Sequence, residues 1–160
     1  RWKRVTGVQT CALPIFESRT RQNGKDYRVT GRAAADGFLV EGQEGHQRLA
    51  ACVGTFSYWD KRRLLSQSKL LNAQTGEYLA VETTPLGPGS VRLGEREVPV
   101  DRYRLEGEDL EITVAYTRDR DEWVALDSPL FAGRALRYRR RAADLDTIAP
   151  AAETQRPPSP

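Results

Sequence analysis

The chain contains no methionine and a single histidine, His46, among its 160 residues. Catalysis by a serine–histidine pair would have to use His46, and no Gly-x-Ser-x-Gly elbow is present to supply the nucleophile. Long apolar runs are also missing, since no stretch approaches the roughly 18 residues that a membrane-spanning helix needs. The sequence therefore predicts neither a serine hydrolase of this kind nor a transmembrane segment.

The missing methionine extends to position 1, where a natural reading frame would begin. Residues 1–15 closely resemble a peptide that arises when sequencing-adaptor DNA is translated at the broken ends of metagenomic reading frames. We therefore expect residues 1–15 to be an adaptor-derived artefact without a fold, and the chain to be truncated at its N-terminus. These residues are excluded from the fold prediction, as a fusion scar would be.

The charge balance changes once residues 1–15 are set aside. The chain has 25 basic and 22 acidic residues. Three of the basic residues, Arg1, Lys3 and Arg4, lie in that segment, which has no acidic residue. Residues 16–160 therefore carry 22 charged residues of each sign. This balance gives no support to a nucleic-acid partner, which a basic surface would favour.

Cysteine is also scarce. Cys11 falls within residues 1–15, which leaves Cys52 as the one cysteine of the predicted domain. One cysteine and one histidine form neither an intramolecular disulfide nor a zinc site, so the sequence predicts no metal and no cofactor. Because its neighbours are alanine and valine, Cys52 is predicted to be a small buried residue.

What the sequence does contain is a regular alternation of short strands and turns. Asn23-Gly24 and Asp36-Gly37 are hairpin signals, because asparagine, aspartate and glycine tolerate positive φ. Residues 110–116 alternate between apolar and polar side chains, which is typical of a half-buried antiparallel strand. Residues 85–89 contain two prolines and two glycines, and they are predicted to form a loop.

These patterns predict an all-β, mainly antiparallel fold. The expected form is a strongly curved meander sheet or an incomplete barrel of about seven to nine strands. At most one short helix is expected, near residues 61–71. Residues 16–141 are predicted to form a single β domain. Residues 142–160 are predicted to be a disordered Ala/Pro-rich tail, since they have too few apolar side chains to pack.

Few residues suggest catalysis. His46 lies between Gly45 and Gln47 and is predicted to be an exposed turn residue. Carboxylates that could pair as acid and base fall in predicted hairpin turns, where they are normally solvated: Glu106, Glu108, Asp109, Asp119 and Asp121. A basic strip could bind an anionic head group or simply protect a sheet edge: Arg134, Arg137, Arg139, Arg140 and Arg141. The sequence thus predicts no catalytic residue.

The aromatic cluster at residues 56–59 and the turn at residues 72–76 are the most distinctive features. Two interpretations are open. In the first, five residues line a pocket mouth and bind a ligand: Tyr58, Trp59, Gln67, Lys69 and Asn72. In the second, Trp59 plugs one end of a curved sheet, while Asn72 and Thr75 hydrogen-bond the backbone of their own turn.

Several segments carry a family resemblance, in order from Phe16 to Arg139. They are residues 56–60, 69–77, 101–107, 109–116, 122–126 and 133–138. Together they resemble the bacterial domain-of-unknown-function family 6134. The resemblance implies an exported, β-rich protein, periplasmic or secreted, that is similar in outline to periplasmic proteins with a curved lipoprotein-carrier-like sheet. It also implies an export signal and further strands before Phe16. The family has no established catalytic residues to transfer.

The expected function is non-enzymatic. The leading hypothesis is that the protein binds an apolar or lipidic ligand, or an envelope partner, in the concave face of its sheet. The alternative is a purely structural or assembly protein with a packed sheet and no ligand. A hydrolase that uses the turn carboxylates is the third possibility. The sequence does not predict an oligomeric state.

Overall fold

The structure is a computed structural model that describes residues 15–22, 24–43, 45–50, 53–129 and 133–146. Its fold is all-β and mainly antiparallel, as the sequence predicts, with two short helices. The described residues fall into two units. The first unit holds the residues up to Thr84 together with Arg104–Glu111, and the second holds Pro85–Tyr103 and the residues from Ile112 onward. Cys52 lies outside the described residues.

A four-stranded antiparallel meander opens the first unit, in the order β1-β2-β3-β4. Its strands are β1 (Ile15–Gln22), β2 (Lys25–Ala34), β3 (Gly37–Gly42) and β4 (Gly45–Leu49). The predicted hairpin at residues 23–24 is confirmed, because Gln22 pairs with Lys25 and Gly24 has a φ of +78°. The next turn is displaced by one residue, since Gly37 already pairs with Ala34 and opens β3.

A small three-stranded sheet and one helix complete the part of the first unit that precedes Glu82. The elements are β5 (Gly54–Thr55), α1 (Lys61–Leu65), β6 (Lys69–Leu71) and β7 (Tyr78–Ala80). The sheet order is β5-β6-β7, and the β5–β6 pair is parallel. The helix is shorter than the predicted 61–71, because Leu70 and Leu71 pair with Leu79 and Tyr78 in a strand and are fully buried.

The remaining strands form a five-stranded sheet in the order β12-β11-β10-β9-β8. They are β8 (Glu82–Leu93), β9 (Arg96–Gly107), β10 (Leu110–Thr117), β11 (Trp123–Pro129) and β12 (Ala135–Arg139). The loop predicted at residues 85–89 is wrong, because these residues belong to β8. β8 is an edge strand. An edge strand tolerates proline at positions such as 85 and 88, because proline lacks a backbone N–H and the outer side of an edge strand has no partner strand to receive one.

The second helix, α2 (Ala142–Asp146), lies in the range predicted as a disordered tail. Its Leu145 is 2% exposed and belongs to the buried cluster of the second unit. The other members of that cluster are Leu93, Val98, Val100, Ala115, Val124 and Ala125. The prediction is therefore wrong for residues 142–146, because Leu145 enters the core and Arg120 and Arg140 donate hydrogen bonds to carbonyls of α2. Residues 147–160 lie outside the described residues.

Candidate functional site

The two faces of the four-stranded sheet have different characters. Strand register places Phe16 opposite Gly31, and Gly31 opposite Val40, so these three residues share one face. Val29, Phe38 and Val40 on this face are almost fully buried and form one cluster with Val53 and Leu71. Side chains alternate between the faces of a strand, so Ile15, Glu17, Leu39 and their neighbours lie on the opposite face. The first face is therefore the core of the first unit.

Two aromatic rings stand on this buried face. The rings of Phe16 and Phe38 stack with their centroids 6.0 Å apart and their planes 6° from parallel. They meet above Gly31: a Cβ atom at that position would lie 2.1 Å from the Phe16 ring and 2.5 Å from the Phe38 ring. Gly31 thus lets two large side chains from β1 and β3 approach across β2.

Helix α1 is positioned close to the two rings. The Asp60 side chain accepts a hydrogen bond from the Arg63 backbone N–H at 3.0 Å and caps the helix. Leu64 points inward and is 1% exposed. The Arg63 guanidinium donates to the Val53 carbonyl at 3.2 Å. A helix this short is unstable by itself, so the cap, the buried leucine and the arginine contact hold it in place.

A pocket of about 240 Å³ lies between α1 and the rings. Its lining residues are Phe16, Phe38, Val53, Thr55, Ser57, Asp60, Arg63, Leu64 and Leu71. Five of these nine side chains are apolar. The pocket contains neither a histidine nor a cysteine, and Asp60 already accepts the helix-capping hydrogen bond. Its chemistry suits the burial of an apolar group better than proton transfer.

The pocket differs from the ligand site that the sequence predicts. None of Tyr58, Trp59, Gln67, Lys69 and Asn72 lines it. Gln67 approaches Gly54 beside β5, and the Lys69 ammonium lies 5.8 Å from the centroid of the Tyr78 ring. Between residues 58 and 72, the pocket is lined by other side chains than those predicted, namely Asp60, Arg63, Leu64 and Leu71.

Asn72 has the structural role described by the second interpretation. Its side chain accepts a hydrogen bond from the Gln74 N–H at 2.9 Å, and its carbonyl accepts from the Gly76 N–H at 2.8 Å. The Thr75 hydroxyl accepts from the Glu77 N–H at 3.3 Å. Gln47 on the buried sheet face donates to the Gly76 carbonyl at 3.1 Å. These bonds fix the turn against the sheet.

Trp59 does not plug the sheet. It lies in the turn before α1 and is 67% exposed, while Tyr58 beside it is half-buried. The plug interpretation is wrong because the Asp60 cap directs the chain into α1, and Leu64 instead of Trp59 becomes the inserted side chain.

Comparison with known protein families gives one assignment. Residues 12–141 match the family described as "Domain of unknown function (DUF6134)". The chain belongs to this family. Comparison with curated proteins and with solved structures gave no match. The family match covers both units, so the pocket beneath α1 lies within the family domain.

His46 is on a strand, contrary to its predicted place in a turn. It belongs to β4 and lies opposite Glu41 on the outer face of the sheet. On the neighbouring strand β2, Thr30 pairs with Glu41 from the other side, so Glu41 lies between Thr30 and His46. A catalytic triad needs histidine between the nucleophile and the acid, whereas here the carboxylate lies between the hydroxyl and the imidazole. Two strand spacings, about 9.6 Å in total, separate Thr30 from His46.

The outer face also carries a groove of about 530 Å³, larger than the pocket. Two of its charged side chains pair with neighbours: Glu17 accepts a hydrogen bond from Arg19 at 2.7 Å, and Arg48 pairs with Asp36. The hydrogen bond from Arg19, with the added charge of Arg28, holds the pKa of Glu17 below its ordinary value. An ionised, solvated row of this kind is the ordinary outer face of an antiparallel sheet.

The other charged candidates are also engaged in local contacts. Arg139 makes two hydrogen bonds to Asp127, at 2.8 and 3.0 Å, and Arg140 pairs with Glu122 at 3.3 Å. Arg137 also lies 4.0 Å from Asp127, so two arginines share one carboxylate and the predicted basic strip is only partly neutralised. The carboxylates at residues 106–109 and 119–121 lie at or next to hairpin turns, as predicted.

The sequence predicted none of the nine lining residues as site residues, among them Phe16, Phe38 and Arg63. The signal for the two phenylalanines was present in the hairpin turns. A turn at residues 23–24 fixes the register that places Phe16 opposite Gly31, and the following turn brings Phe38 to the same face. No comparable signal marks Arg63, whose position depends on how α1 docks. Among the described residues, no helix is long and apolar enough to cross a membrane.

Proposed function

We propose that this protein is a non-enzymatic binding protein that takes a small apolar or lipidic ligand into the pocket beneath α1. The observation that supports it is the pocket itself: about 240 Å³ bounded by Phe16, Phe38, Val53, Leu64 and Leu71. These side chains are buried or half-buried and are held by two sheets and a capped helix.

The size of the pocket limits the ligand. An apolar cavity of about 150 Å³ stays dry and binds benzene. A space of about 240 Å³ therefore suits a single ring or a single short chain, and it is too small for a lipid with two acyl chains. Removing apolar ligand surface from water contributes about 25 cal/mol per Å², and a preformed site adds little ordering cost.

Titration calorimetry with octanol tests the proposal. We expect saturable binding with a negative heat-capacity change, the signature of apolar burial. Ser57→Phe places a ring at the pocket rim and should weaken binding at least about tenfold, a loss of about 1.4 kcal/mol. Ser68→Phe is the matched control, because Ser68 is exposed and does not line the pocket. An absence of octanol binding, or equal effects of the two variants, would contradict the proposal.

We further propose that the protein acts in the periplasm or is secreted, on the basis of its family resemblance. A full-length family member that carries its native leader should fractionate with the periplasm or the medium. Recovery in the cytoplasm would contradict this location without bearing on the pocket.

A structural role is the second candidate. The observation that favours it is the hydrogen-bonded turn at residues 72–76, which is fixed to the buried face of the sheet through Gln47 and packs against Gly42. In that case the pocket is a packing gap, and octanol does not bind.

A further inference from the structure

Arg63 gives the pocket a charged group at its apolar wall. The residue is half-buried and lines the pocket beside Leu64. Its guanidinium donates a hydrogen bond to the Val53 carbonyl at 3.2 Å, and this is its one such bond to the described residues. A guanidinium carries five N–H donors in a rigid planar fork. Donors therefore remain for a ligand.

Asp60 shares the pocket but does not neutralise Arg63. Its carboxylate accepts a hydrogen bond from the Arg63 backbone N–H at 3.0 Å, as the helix cap. Within the described part of the chain, no carboxylate forms an ion pair with the Arg63 guanidinium. The pocket thus combines an apolar interior with a guanidinium that has no ion-pair partner among the described residues.

We infer that the ligand is a single-chain carboxylate, whose chain lies against Phe16, Phe38 and Leu64 and whose head group binds Arg63. This inference rests on the proposed binding function and adds the charge of the ligand. A carboxylate matches the fork of a guanidinium with two parallel hydrogen bonds. A monoanion also fits better than a dianionic phosphate, because the Asp60 carboxylate at the same pocket repels each added negative charge.

The experiment compares octanoate with octanol, two probes that share a chain and differ in charge. In titrations at neutral pH, the wild-type protein should bind octanoate about tenfold more tightly than octanol, because charge-assisted hydrogen bonds are stronger than neutral ones. Arg63→Gln should abolish this preference, because it should weaken octanoate binding about tenfold more than octanol binding. Arg63→Lys should restore part of it, since an ammonium keeps the charge but not the fork.

Arg62→Gln is the matched control, because Arg62 is the preceding helix residue, is exposed and does not line the pocket. It should leave both affinities as they are in the wild type. Equal affinity for the two probes, or an equal loss of octanoate binding in Arg62→Gln and Arg63→Gln, would overturn the inference while the octanol result still supports a binding pocket. If neither probe binds, the proposed function fails, and the inference fails with it.

Discussion

Each unit uses a one-turn helix to insert one leucine into a core, but the spaces beside the two helices differ. Leu64 of α1 and Leu145 of α2 are 1% and 2% exposed. The space at Leu64 is bordered by phenylalanine, valine and leucine. A cleft of about 440 Å³ at Leu145 is instead lined mostly by polar and charged residues of the second unit, including Arg96, Arg118 and Asp119.

The side chains under each helix explain the difference. Leu145 shares its cluster with Ala115 and Ala125, whose small side chains let a helix lie close to the sheet. Beneath α1, the two stacked phenylalanine rings project from the sheet. The polar contacts that hold α2 also differ from those that hold α1. Arg120 and Arg140 pair with Glu122, and both donate hydrogen bonds to backbone carbonyls of α2. α2 therefore completes a packed core, whereas α1 covers an apolar pocket.

The largest effect on the free energy of unfolding is expected when either of the two leucines is replaced by alanine. Leu145→Ala should lower the free energy of unfolding by about 3–4 kcal/mol, within the range for buried leucines. Both leucines border a space, but Leu145 also belongs to a cluster of seven buried residues. Leu64→Ala should therefore cost less, about 2 kcal/mol. Urea unfolding followed by circular dichroism measures both. A loss of unfolding free energy in Leu64→Ala equal to or greater than that in Leu145→Ala would contradict the proposed difference between the two helices.

A smaller effect on the free energy of unfolding is expected when a methyl group is added at Gly31, beneath the two rings. Gly31→Ala adds a methyl group that would lie 2.1 Å from the Phe16 ring, so the ring must move toward the pocket. Overpacking of this kind costs about 1–3 kcal/mol, and octanol binding should weaken at the same time. Thr30→Ala, on the outer face of the same strand, is the control and should change neither quantity appreciably. If Gly31→Ala binds octanol as the wild type does, the rings do not shape the pocket.

The smallest effect on stability and on binding is expected when the exposed Trp59 is replaced. Trp59→Ala should change the free energy of unfolding by no more than about 0.5 kcal/mol, as is usual for an exposed side chain. Octanol affinity should also be unchanged, because Trp59 does not line the pocket. Denaturant unfolding and calorimetry check the two statements. A loss above about 2 kcal/mol would show that Trp59 has the core role that the structure gives to Leu64.

The fold was largely predictable because its signals are local. The turn between β1 and β2 and the strand at residues 110–116 depend on turn chemistry and strand period, and both elements are present. The predicted half-buried pattern is wrong for the end of β10, where Ala115 and Thr117 are buried as well as their neighbours. The prolines of β8 wrongly favoured a loop, since a strand edge tolerates proline and the sequence does not mark which strand lies at the edge. α2 was missed because a single buried leucine carries no periodic signal.

The pocket was less predictable because it joins residues far apart in the chain. Phe16, Phe38, Arg63 and Leu71 meet only after two hairpins and a helix have docked. The aromatic cluster drew attention to Trp59, but aromatic character does not determine whether a side chain faces the core or the solvent. The Asp60 cap fixes that orientation, because it starts α1 two residues after Trp59 and brings Leu64 inward.

Diffraction from a crystal under xenon pressure tests the central claim most directly, since xenon enters empty apolar cavities. The account predicts a xenon atom beneath α1, between the Phe16 and Phe38 rings and Leu64, and none in the charged cleft beside Leu145. A Phe16 ring turned into the space, with no xenon beneath α1, would contradict it.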